Sequence, residues 1–77
     1  MKGGNEMKTF KIKSNADALV LNNNYEVIAD KKFKKAVTLD NKQFITAKKC
    51  KCCDKVVFYF DFEDSKIQVD CEHIAMN

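Results

Sequence analysis

The chain has no proline, no tryptophan and no arginine, one histidine, and two glycines among its 77 residues. Proline is the residue that cannot donate to a strand ladder, so its absence leaves the whole chain free to be strand. Both glycines, Gly3 and Gly4, fall at the start, so no glycine-rich loop is available to cradle a phosphate. With the only histidine assigned to a metal below, no Ser/His/Asp set is left for nucleophilic catalysis. All 14 basic residues are lysine. Arginine carries the planar fork that reads guanine edges, whereas lysine is a compact point charge, so sequence-specific duplex reading is disfavoured. Long apolar runs are missing too. The longest is "VVFYF" at 56–60, far short of a bilayer span, and the opening "MKGGNEMKTFKIKS" has no apolar signal core. These absences predict a cytoplasmic protein with no membrane contact, in which structural disulfides are disfavoured.

What remains suits one small domain. A chain this short buries only about 60% of its unfolded surface, so a staple is expected, yet a hydrophobic content of 45% is enough for a core. Charge is unevenly spread. Residues 1–51 hold 12 Lys against 5 acids, a net of +7, and residues 52–77 hold 2 Lys against 6 acids, a net of −4; together these give the overall +3. Such a split orients a partner electrostatically without dictating a fold. Richness in Lys, Asn, Phe and Ile without Arg or Pro is the composition of an AT-rich coding genome, such as that of a low-GC bacterium or its phage.

Along the chain, residues 1–6 read as a flexible leader and 7–77 as a single β domain. "MKTFKIK" alternates as a strand, with Phe10 and Ile12 on one face. "ALVLNNNYEVIAD" reads as a hairpin turned by asparagines, which tolerate left-handed backbone. The alternative is a short helix from Ser14 to Leu21, since "SNAD" fits a capping box. "FKKAVTLDNKQFITA" repeats the hairpin pattern with "DNK" as its turn. "KVVFYFDF" puts Phe58, Phe60 and Phe62 on one face, and "IQVDCEH" returns with Ile67, Val69, Cys71 and His73 sharing a face. The fold expected is all-β, with six or seven short antiparallel strands in hairpins.

Every cysteine and the histidine lie in "CKCCDKVVFYFDFEDSKIQVDCEH" at 50–73. Zinc takes four thiolate or imidazole ligands in a tetrahedron. Cys50 and Cys53 have knuckle spacing, and Cys71 and His73, two apart on a strand, project to one side. If Asp64 and Ser65 are the central turn residues, His73 lies opposite Val56, next to the knuckle, and the four ligands converge. Cys52 is the substitute, as a Cys50/Cys52 pair. Inert buried thiols are the competing reading. A redox pair is a third, weakened because thioredoxin-type motifs open a helix in a βαβ context absent here.

This stretch resembles a zinc ribbon: C-x-x-C, a polar residue, Lys, an apolar strand, a turn, and a cysteine closing the return strand. It also bears some likeness to the very short zinc-ribbon regulators of phages. Position 74 is Ile, where a ribbon completes a second C-x-x-C, so His73 stands as the fourth ligand. The resemblance covers 50–77 and implies a structural Zn²⁺, no catalysis, and a role in binding nucleic acid or protein.

Lysine clusters supply candidate contacts: Lys31, Lys32, Lys34 and Lys35 around Phe33, then Lys48, Lys49 and Lys51. Lysines with an interleaved aromatic suit phosphates and unpaired bases; the plainer reading is a solvated face with Phe33 in the core. The function expected is a non-enzymatic, zinc-stabilised regulator or inhibitor acting on nucleic-acid-processing machinery through a host or partner protein. Direct binding of single-stranded nucleic acid or RNA is the alternative.

Overall fold

A computed structural model of the chain describes residues 9–49, 51 and 54–76. The expected leader at 1–6 lies outside the described residues. Among the described residues eight strands follow one another: β1 (Thr9–Ile12), β2 (Ala16–Leu21), β3 (Val27–Phe33), β4 (Val37–Asp40), β5 (Phe44–Lys49), β6 (Val56–Phe62), β7 (Ser65–Asp70) and, after a 3₁₀ turn at Cys71–His73, β8 (Ile74–Met76). The protein is all-β, as the alternation predicts, with β8 one strand beyond the expected six or seven. Residues 16–21 are strand, so the hairpin reading of the asparagine-rich segment holds over the helical one.

The strands form two antiparallel sheets, ordered β4-β1-β8 and β3-β2-β7-β6-β5. True hairpins join β2 to β3, β5 to β6 and β6 to β7. The other connections carry the chain from one sheet to the other. "DNK" is such a corner and not a hairpin turn, because β4 pairs with β1 while β5 pairs with β6. Asp40 builds it: its Oδ1 accepts the amides of Lys42 and Gln43 at 2.9 and 3.2 Å, the local bonding that makes aspartate a turn residue. Asn15, at φ 64°, serves the β1–β2 corner and donates its amide to the Phe33 carbonyl.

The inner faces of the two sheets meet in one core. Phe10 and Ile12 from β1 and Leu39 from β4 pack against Phe60, Ile67 and Val69 of the larger sheet. Phe10, Phe44, Phe58 and Phe60 form an aromatic cluster with centroids from 5.0 Å (Phe10–Phe44) to 6.2 Å (Phe58–Phe60). Each fully buried large side chain contributes about 1.5–3 kcal/mol. No polar or charged side chain is buried among the described residues.

Candidate binding face and carboxy-terminal ligand cluster

The β6–β7 hairpin turns at Glu63 and Asp64, with Phe62 opposite Ser65 and Val57 opposite Asp70. This register differs by two residues from the one that centres the turn on Asp64 and Ser65, and it corrects the placement of His73 opposite Val56. β7 ends at Asp70. Cys71 and His73 therefore do not continue the face of Ile67 and Val69. They lie in the 3₁₀ turn, where three residues complete a turn and positions two apart point in different directions. Lys13 donates its amide to the His73 carbonyl at 2.8 Å, tying the turn to the end of β1.

Of the expected zinc ligands, Cys50 and Cys53, and the substitute Cys52, lie outside the described residues. Cys71 is exposed. His73 is half-buried and joins Asp70 and Glu72: one ligand atom from each lies within 4.8 Å of the others. An imidazole with two carboxylates is a donor set that suits zinc and other divalent cations. Asp70 and Glu72 are the members of this group that sequence reasoning did not single out, because attention to thiols passes over carboxylates flanking a histidine.

The lysine clusters are placed as follows. Lys31 is half-buried, with Nζ 5.2 Å from the Phe33 ring centroid and 5.5 Å from that of Phe62. Phe33 is 4% exposed and edge-on to Phe62 at 5.5 Å, so its ring belongs to the core and is not offered to a base. Lys32, Lys34, Lys35, Lys48, Lys49 and Lys51 are exposed. Lys49 pairs with Asp54 at 3.5 Å, and Lys48 lies over the Tyr59 ring at 5.8 Å.

Tyr59 leads to the outer face of the five-stranded sheet, away from the core. In the strand register Leu19, Gln68, Tyr59 and Thr46 form one row across it. Tyr25 meets Tyr59 edge-on, at 6.0 Å and 79°. Lys66 lies 5.7 Å over the Tyr25 ring and bonds Asp61 at 3.1 Å. A cleft of about 170 Å³ is lined by Tyr25, Thr46, Lys48 and Tyr59. A larger groove of about 620 Å³ lies over β3, β2 and β7, where Asp17, Asp30 and Asp70 face Lys31 and Lys32.

Two local departures from regular backbone shape the edge of this face. Tyr25 has φ 63°, a region that a bulky side chain rarely occupies. Asn22 holds it there: its Oδ1 accepts the amides of Asn24 and Glu26 at 2.9 Å each, and its carbonyl accepts the Tyr25 amide. In β3, Val20 pairs with Ala29 and Leu21 with Val27, which leaves Ile28 as the extra residue of a bulge. Tyr25, Val27 and Ile28 are 49%, 56% and 57% exposed, and are the exposed large hydrophobics among the described residues.

Compared with known proteins, no family model matches the chain, and no curated protein or solved structure is significantly similar to it. No helix among the described residues is long and apolar enough to cross a membrane.

Proposed function

We propose that the protein is a non-enzymatic binding module that docks on a partner protein. The observation that carries this reading is the gathering of Tyr25, Val27 and Ile28, all about half exposed, at one end of the β2–β3 hairpin. Exposed aromatic and aliphatic side chains in one cluster are the usual anchors of an interface. The bulge at Ile28 and the lysines at 31 and 32 interrupt the β3 edge, and such features discourage strand addition. The partner therefore docks against side chains and does not extend the sheet. Lys32, Lys34 and Lys35, exposed beyond the patch, favour an acidic rim on that partner. In this reading the protein is a cytoplasmic regulator or inhibitor of nucleic-acid-processing machinery, of phage or low-GC bacterial origin. Zinc is its structural ion, with His73 as the imidazole ligand and Asp70 and Glu72 beside it.

The test compares wild-type protein with Ile28→Lys. Sedimentation of each establishes whether the patch is occupied by a second copy. Cross-linking in a candidate host extract is then expected to yield a stoichiometric partner with the wild type, and affinity roughly tenfold or more weaker with Ile28→Lys, as for a hot-spot residue. Identical recovery by both proteins would sink the proposal.

A further inference from the structure

Beyond protein docking, we infer that the Tyr25–Tyr59 cleft is a short binding site for single-stranded nucleic acid, taking one or two bases with their phosphates. Four observations converge on it. Two tyrosine rings, one exposed and one half-buried, stand edge-to-face at 6.0 Å on the outer face of the larger sheet. Ammonium groups lie at both rings, Lys48 at Tyr59 and Lys66 at Tyr25. Aromatic faces with adjacent cations are the elements from which proteins hold unpaired bases and the phosphates beside them.

The third observation is the backbone at Tyr25. A left-handed tyrosine costs about 1–3 kcal/mol, and such strain persists where the surroundings impose it and the position has a use. Asparagine occupies the three positions before it and would adopt that conformation more cheaply. The ring is what the strained position delivers to the face.

The fourth is charge, which sets the length of the site. On the β5 side of the cleft lies the exposed Lys48. On the β3–β2–β7 side, the groove carries Asp17, Asp30 and Asp70 against Lys31 and Lys32, a net negative lining that suits a polyanion less well than the β5 side. A strand can run off the cleft toward β5 and not across the sheet. Lys66 shares its charge with Asp61, so phosphate contacts number about two, and the logarithm of affinity should fall with the logarithm of salt at a slope of roughly −1.4.

The experiment is fluorescence anisotropy with labelled oligo(dT) and oligo(U) at low salt, on the full chain, with far-UV circular dichroism of each variant as a folding control. Tyr59→Ala is expected to weaken binding roughly fivefold or more, the range for losing one stacked base, whereas Tyr59→Phe and Ile28→Lys leave stacking intact. Duplex of the same length is expected to bind more weakly than either single strand. Absence of binding would overturn the inference, as would unchanged affinity in Tyr59→Ala, or a salt slope steeper than about −4, the mark of diffuse lysine contacts. Tyr25 is shared by the cleft and the docking patch, so the two readings are told apart at residues that are not shared: Tyr59→Ala should lower oligonucleotide affinity, and Ile28→Lys should lower recovery of a protein partner.

Discussion

Phe33 offers the sharpest test of how the lysine clusters should be understood. Among four lysines it has the look of a base-stacking residue, yet in the fold it is 4% exposed, edge-on to Phe62 and capped by Lys31. Truncating a buried phenylalanine to alanine costs about 3–5 kcal/mol. A 77-residue domain has a total stability of about 4–12 kcal/mol at the usual marginal value per residue, so Phe33→Ala removes from about a quarter of it to all of it. Phe33→Leu retains most of the volume and should cost about 1–2 kcal/mol. With a urea slope of about 1 kcal/mol per molar, its midpoint falls by about 1–2 M. Lys31→Ala should cost a further, smaller amount of about 0.5–1 kcal/mol through the lost cation–π contact. Urea titration followed by far-UV circular dichroism measures all three. If the Phe33→Leu midpoint stays within about 0.3 M of wild type while oligonucleotide affinity drops tenfold, the ring faces solvent and the core assignment is mistaken.

Zinc at a hundredfold excess over its dissociation constant should raise stability by about 2.7 kcal/mol. His73→Gln should abolish that rise, which urea titration with and without zinc measures. Asn22→Ala removes the acceptor for two amides and should destabilise by about 1–2 kcal/mol, with a change in tyrosine fluorescence as Tyr25 relaxes. The two ion pairs should behave unequally. Lys66–Asp61, with the lysine side chain only 20% exposed, should contribute a few tenths of a kcal/mol up to about 1, lost in Asp61→Asn and weakened by salt. Lys49–Asp54, at 67% and 86% exposure, should leave the melting temperature unchanged in Asp54→Asn.

Strand content was legible in the sequence because alternation is a local signal. Phe58, Phe60 and Phe62 share a face, as their spacing requires, and the asparagines do turn β2 into β3. Strand partners were legible in the β2–β3 and β6–β7 hairpins and not where the chain crosses between sheets. Period two marks a strand without saying which sheet receives it, so the crossing at Asp40–Gln43 looks in sequence like one more hairpin. The face of Cys71 and His73 failed for a related reason: alternation over three residues after Asp70 cannot distinguish a strand from a 3₁₀ turn. Tyr25 sat in a run read as a hairpin, where strand residues resume after the asparagines. Its use of the turn to present an aromatic ring depends on Tyr59, and that residue arrives from β6, distant in the chain.

The position of β1, between β4 and β8, bears on how the molecule comes into being. Phe10 sits opposite a residue at position 76, so β1, the first of the described strands, waits for β8, the last of them, and the smaller sheet cannot close until position 76 has been synthesised. Topologies dominated by such distant pairings fold in milliseconds to seconds, slowly for their size. Assembly is then a late, single event, and a product cut short before β8 leaves β1 with a bare edge for proteases and chaperones to find.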